Sequence, residues 1–399
     1  MIEPLRLSRR AAQVAPSSTM AAAAAARALI EQGVSVVNLT AGEPDFATPE
    51  PIRRAAHEAI EGGYTKYPPL TGYADLRQAV VDYAAERGAR YQAEGVVVSC
   101  GAKQAITNAL LALVGEGDEV IIPAPYWVSY VDQVKLAGGT PVVVETRAEE
   151  NFALDAERIA AAITPRTVAL FLNSPCNPTG AVYPRSVLEA VGELALRHRL
   201  WVISDEIYAA LSYDGEAVSF PSLSAEVAAR TVLVDGVSKI FAMTGWRIGW
   251  TVCDPTLAKA MATMQGQTTS GAAAVSQRAA LAGLRMDRAP VHAMVGEYVK
   301  RRAYGLERLR AIPGVRCSKP SGAFYFFPHV ATLFGRSHQG TPIDSSATLT
   351  RLLLEREGLA IVGGSGFGAE EHVRISYAAS MESLRDGFDR LERFVRALT

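Results

Sequence analysis

Within "VLVDGVSKIFAMTGWRIGW" (Val232–Trp250), Lys239 sits at the mouth of an apolar strand and Arg247 follows eight positions later. Burial of an ammonium group is costly unless it is paired or neutralised. A lysine held there as a neutral amine or an imine is a reaction centre. Two other strand-like runs end in a similar way. "FLNSPCNPTG" carries Asn173 and Asn177 just past its apolar residues, and "WVISDEIY" carries Asp205 and Tyr208. Open α/β sheets bind ligands beyond the carboxyl ends of their strands. Each group alone has a plain reading: turn chemistry for the asparagines, a helix cap for Asp205, a surface position for the lysine. Delivered by three consecutive strands, they point to one site.

The elements that must position these groups form a repeating pattern. Apolar runs "GVVVS", "DEVIIPAP", "GTPVVVE", "TVALFLNSP", "RLWVISDE", "TVLVDG" and "RIGWTVC" alternate with helical stretches such as "AKQAITNALLALV" and "SVLEAVGELALRH". Runs that are apolar throughout and joined by helices predict a largely parallel sheet covered on both faces. Seven strands make one large α/β domain, expected over residues 46–288. After about Ala289 a long charged helix leads to "SGAFYFFP", "ATLTRLLLEREG", "LAIVGG", "EHVRISYA" and a closing helix. That pattern predicts a smaller α+β domain over 289–399, joined by residues 1–45 folding back as an arm and lid helix. The basic start followed by "MAAAAAARALI" resembles a secretory leader, but "PSST" caps it and Gly33 stops it, so an Ala-rich helix is expected.

Bulk composition narrows the function. Of 399 residues, 49% are hydrophobic and 20% charged, and 40 Lys+Arg against 41 Asp+Glu give a formal net charge of −1. Neither a nucleic acid nor an anionic membrane is the expected partner, and no apolar run has the length of a membrane span. Cys100, Cys176, Cys253 and Cys317 lie far apart without a CxxC, which fits a reducing cytosol. The six histidines show no HExxH spacing, so no metal is expected. "GSGFGA" from Gly364 matches GxGxxA but lacks the βαβ unit that gives the pattern meaning.

Taken together, Lys239 with "AMTGWRIG", and "NSPCNPTG", "SDEIY", "TAGEPDF", "PYWVSY" and "HVRISYA", resemble the class I/II aminotransferases of pyridoxal 5′-phosphate fold type I. The likeness runs over nearly the whole chain in the family's order. Its texture is nearest the bacterial aspartate aminotransferase branch that also contains prephenate aminotransferases.

The resemblance implies pyridoxal 5′-phosphate bound as an imine to Lys239, which becomes the proton-moving base once an amino acid displaces it. It implies that Asp205 pairs with the pyridine N–H, and that Asn177 and Tyr208 hydrogen-bond the ring's 3-oxygen. Arg247 would clamp the phosphate, with Ser238 and the turn Gly101–Ala102–Lys103, whose N–H groups open a helix. Trp127 would stack on the ring. Arg374 would fork onto the substrate α-carboxylate beside the Gly42 backbone, with Trp127 and Asn177 also facing the substrate. Tyr67 matches a tyrosine that reaches the neighbouring subunit's phosphate, which implies a homodimer with shared active sites. Lys103 and Thr19, the latter on the lid helix, would meet the distal carboxylate of an acidic substrate.

Departures from the family are also visible. Cys176 stands where Asn or Ser is usual, Ala209–Ala210 where a Glu is common, and "TSGAAAVS" (Thr269–Ser276) where Asn or Pro usually follows the Ser. They bear on the substrate pocket and its subunit-interface wall. The expected reaction is ping-pong exchange of an amino group between an amino acid, aspartate or glutamate and also prephenate in this branch, and a 2-oxo acid. The competing readings are an aromatic or specialised substrate, a lyase or oxidase using the same apparatus, and a binding module of a transcription regulator.

Overall fold

The computed structural model of the chain describes residues 6–399, so the first five residues of the expected arm lie outside it. All seven expected strands form: β1 (Val96–Ser99), β2 (Glu119–Ala124), β3 (Thr140–Glu145), β4 (Thr167–Asn173), β5 (Trp201–Asp205), β6 (Thr231–Gly236) and β7 (Gly249–Val252). They make one sheet in the order β1-β7-β6-β5-β4-β2-β3. Pairing is parallel from β3 through β6, and β7 runs antiparallel to both its neighbours. The sheet is therefore mostly parallel, as the unbroken apolar runs require.

Alternation along the strands feeds two apolar layers. Val97, Val120, Phe171, Ile203, Val232 and Val234 pack on one face. Val96, Val98 and Leu233 pack into a second cluster, and Ile121, Leu170 and Val202 into a third. Since successive side chains point to opposite faces, a strand that is apolar at every position is buried on both. Edge strand β3 is the exception in degree, with Val143 44% exposed.

We label the helices that matter here α1 (Ser18–Glu31), α2 (Ala74–Glu86), α3 (Ala102–Leu113), α4 (Ala289–Ala311), α5 (Ser346–Glu357) and α6 (Met381–Arg396). After α4, strands β8 (Tyr325–Phe326), β9 (Val362–Gly363) and β10 (Val373–Ser376) form a small antiparallel sheet in the order β9-β10-β8. Helix α6 buries Leu384, Phe388, Leu391 and Val395, one stripe at helical spacing, against it. Val37–Asn38 pairs in parallel with Leu359–Ala360, bringing the N-terminal segment back onto this second core.

Helix α1 buries only Ala26 fully, so its small side chains are placed by surroundings and not by a core of their own. Ser17 is its N-cap but makes no capping hydrogen bond, and its hydroxyl meets that of Thr19 at 2.9 Å. The glycines of "GSGFGA" have a packing role here. A Cβ at Gly366 would stand 2.2 Å from the Ser18 hydroxyl, so only glycine lets α1 approach this turn.

Candidate active site

A cavity of about 500 Å³ opens at the carboxyl ends of β4, β5 and β6. Gly42, Ala102, Lys103, Trp127, Asn177, Asp205, Tyr208, Ser238, Lys239, Arg247 and Arg374 line it, as does Thr19 from α1. Ser17, Met20, Ala23, Arg27 and Ile30 join Thr19 along one face of that helix, so α1 lies across the mouth. Gly101 lies just behind the wall, at the turn into α3. Tyr67 is elsewhere: it is 93% exposed and does not reach the cavity of its own chain. None of the departures at Cys176, Ala209–Ala210 and Thr269–Ser276 lines the cavity.

Strand ends deliver the polar groups one by one. Asp205 closes β5, and its carboxylate accepts from the Tyr130 hydroxyl at 2.6 Å and the Ile207 N–H at 3.2 Å. Burial pushes its pKa up to about 6, against the pull of these two donors. Asn173, at the end of β4, donates to the Asp205 carbonyl at 2.9 Å and accepts from the Asn177 N–H at 2.8 Å. It thereby ties the asparagine turn to the carboxylate strand.

Lys239 lies in a single helical turn that follows β6. Its ammonium donates to the Gly42 carbonyl. Burial lowers its pKa to about 8, with Arg374 and Arg247 adding to the fall while Glu43 and Asp205 oppose it. A lysine so placed gives up its proton far more readily than one in water.

Arg374, on β10, is 2% exposed. It donates to Asn177 Oδ1 at 3.0 Å and to the Thr40 carbonyl at 2.9 Å, and lies 4.4 Å from the Tyr325 ring centroid. Its Nε has no partner among the described residues. A buried guanidinium with unspent donor capacity is matched to a planar anion. Lys103 lies with its Nζ 5.0 Å from the Trp127 ring centroid, and burial together with Arg247 lowers its pKa.

The other end of the cavity is built to hold an anion. Gly101 has φ +84°, and a Cβ on it would stand 2.5 Å from Arg247 Nη2. That concavity lies where the first turn of α3 presents N–H groups that no intrahelical carbonyl can satisfy. Arg247 itself donates to the carbonyls of Thr244 and Cys100. A phosphate fits this donor set, an aldehyde fits Lys239, and a protonated ring nitrogen fits Asp205.

Two residues of the site escaped the sequence reading. Tyr130 lay inside the quoted "PYWVSY", three positions past Trp127, in the first turn of the short helix that begins at Ser129. Tyr325 lay inside "SGAFYFFP", and its hydroxyl meets that of Tyr208 at 2.8 Å. For Tyr325 only the pairing of β8 with β10 next to Arg374 would have given it away.

A mostly parallel α/β sheet with Lys239, Asp205, Arg247 and Arg374 around one cavity defines a narrow class, and comparison with known proteins agrees. The family model for aminotransferase class I and II matches residues 34–391. The aspartate/prephenate aminotransferase of Thermus thermophilus is 45% identical over 98% of this chain and 98% of its own. The aspartate aminotransferase of Geobacillus stearothermophilus is 42% identical over 98% of this chain and all of its own. The solved aspartate aminotransferase from Thermus thermophilus with maleate superposes with a TM-score of 0.93 at 43% identity, covering 98% of this chain and 100% of that one. The chain belongs to the class I and II aminotransferase family and is an aminotransferase. Pyridoxal 5′-phosphate is the cofactor that membership implies.

Proposed function

We propose that the chain moves the amino group of an acidic amino acid, aspartate or glutamate, to a 2-oxo acid such as 2-oxoglutarate, in two half-reactions at one site. The observation that carries this is the pair of cations, Arg374 and Lys103, on the wall that also holds Lys239. Two desolvated carboxylates on one substrate each need a positive partner. The Thermus relative solved with maleate, a dicarboxylate, supports the same reading.

When bound, pyridoxal 5′-phosphate supplies an electron sink for the substrate's Cα electrons. Arg247, Ser238 and the Gly101–Ala102–Lys103 turn would hold its phosphate, Trp127 would cover its ring, and Asn177 and Tyr208 would hydrogen-bond its 3-oxygen. Asp205, fixed by Tyr130, would pair with the ring nitrogen and hold its proton there. Lys239 would hold the cofactor's aldehyde carbon. Its amine, already easily deprotonated, takes the proton from substrate Cα. Arg374 orients the α-carboxylate beside Gly42, and α1 closes over the site with Thr19 turned toward the distal carboxylate while excluding water.

Domain division at about residues 45 and 288 belongs to this reading, supported by the separate core behind α4 and α6. So does a homodimer in which Tyr67 completes the partner's phosphate site, supported by its 93% exposure here. The four cysteines are free, which supports a cytosolic protein. The deciding test measures glutamate formed from 2-oxoglutarate with a panel of amino donors. Aspartate should be used, and Lys103→Ala should lower kcat/KM for it by about 2–4 kcal/mol, roughly 30- to 1,000-fold, while sparing an apolar donor. No turnover with any dicarboxylic donor would overturn the substrate assignment.

A further inference from the structure

Beneath the site, on the face of the sheet opposite Asp205, lies a cluster of charge that the reaction above does not use. Val234 pairs with Asp205 across β6 and β5, so the next residues, Asp235 and Glu206, both turn to the far face. Arg87, at the end of α2, reaches both: Nη1 to Glu206 Oε2 at 3.0 Å and Nη2 to Asp235 Oδ2 at 2.8 Å. The carboxylate side chains are each 3% exposed and the guanidinium 16%. Glu206 also accepts from Ser204 Oγ at 3.0 Å and the Phe220 N–H at 2.9 Å. Asp235 Oδ1 accepts from the Gly236 N–H at 2.7 Å, the residue that opens the Lys239 turn.

We propose that Arg87 is a positioning residue for the reaction: it clamps the ends of β5 and β6 through Glu206 and Asp235, fixing the spacing of Asp205 and Lys239 and setting the charge behind them. This rests on the function proposed above. One guanidinium divided between two ionised, buried carboxylates leaves the cluster one negative charge in excess, with Glu206 the residue after Asp205. Around Asp235 stand Arg87, Glu206 and Asp205; Tyr83 and Arg288 pack on the outer side, and Tyr91 faces Glu206. Lys239 itself faces Glu43, Arg374, Arg247 and Asp205. Burial and the neighbouring carboxylates push the Asp235 pKa up to about 7, consistent with an excess of negative charge.

Charge counting makes the proposal testable. Where Asp235 is ionised the cluster carries −1; Arg87→Gln takes it toward −2 at the pH where both freed carboxylates have lost their protons, Asp235→Asn makes it zero, and the double variant returns it to −1. Added negative charge holds protons on nearby groups and removed charge releases them. The reading is the pH midpoint of the absorbance change of the cofactor bound at Lys239, titrated above pH 8 where it allows, with thermal melts alongside. Arg87→Gln should raise the midpoint by about half a unit or more, Asp235→Asn should lower it, and the double variant should lie between the two. Turnover with aspartate should fall at least about tenfold in Arg87→Gln, with KM nearly unchanged. A lower melting temperature with both midpoints unmoved would reduce the cluster to a structural brace and overturn the proposal. Should Arg87→Gln fail to fold, Asp235→Asn alone decides, since it keeps one guanidinium against one carboxylate. Failure of the underlying function looks different: no cofactor band that depends on Lys239 at all.

Discussion

At the scale of single residues, Lys239 and Asp205 are held in opposite kinds of tension. Desolvation favours the neutral form of both, which lowers one pKa to about 8 and raises the other to about 6. Lys239→Ala should abolish the borohydride-trapped cofactor linkage and nearly all turnover while leaving the fold intact; a label on another lysine would refute the assignment. Asp205 also leaves a mark on stability. Its folded pKa exceeds the ordinary 3.8, so its contribution is complete below about pH 4 and is lost as pH rises through about 6. At 1.36 kcal/mol per unit this is roughly 3 kcal/mol. Cofactor-free protein should therefore lose stability from this group between those values. Asp205→Asn should flatten that part of the profile in thermal melts; an unchanged slope would mean that other groups dominate.

At the scale of elements, the phosphate end depends on how closely β7, the Arg247 turn and the start of α3 approach. Gly101 has φ +84° and ψ 163°, an extended conformation at positive φ that is essentially closed to other residues, against the Arg247 guanidinium. Gly101→Ala adds about 1–3 kcal/mol of backbone strain and drives a methyl group into Arg247. Cofactor affinity, measured by fluorescence titration of the stripped protein, should fall at least about tenfold, with the Lys239 linkage still trappable in excess cofactor. Wild-type affinity would show that this turn does not hold the phosphate. Helix α1 is a different kind of element, small-residued and barely buried, which suits the moving cover proposed for it.

For the whole molecule, the open question is assembly. Tyr67 projects 93% exposed from its own chain, which suits the role proposed for it in the partner's site. Sedimentation should show a dimer. Mixing inactive Lys239→Ala chains with chains impaired by a Tyr67 substitution should restore part of the activity, because one site of a mixed dimer then combines the intact Lys239 of one chain with the intact Tyr67 of the other. A fully active monomer would end the idea.

What the sequence determined alone was everything written in short-range pattern. Unbroken apolar runs specified a doubly covered sheet, because a strand's two faces are read by adjacent residues. The positions of Asn177, Asp205 and Lys239 at three strand ends then specified one edge for the site. Tertiary structure decided what pattern does not encode. Tyr130 meets Asp205, and Tyr325 meets Tyr208, only because a helix after β2 and a strand near the chain's end fold onto that edge. Arg87 is 119 positions from Glu206 and 148 from Asp235, and nothing local marks it as their common partner. An arginine on a surface helix and one clamping two buried carboxylates have the same residue type and the same neighbours in sequence. What separates them is the desolvation of their partners, which exists only once the chain has packed.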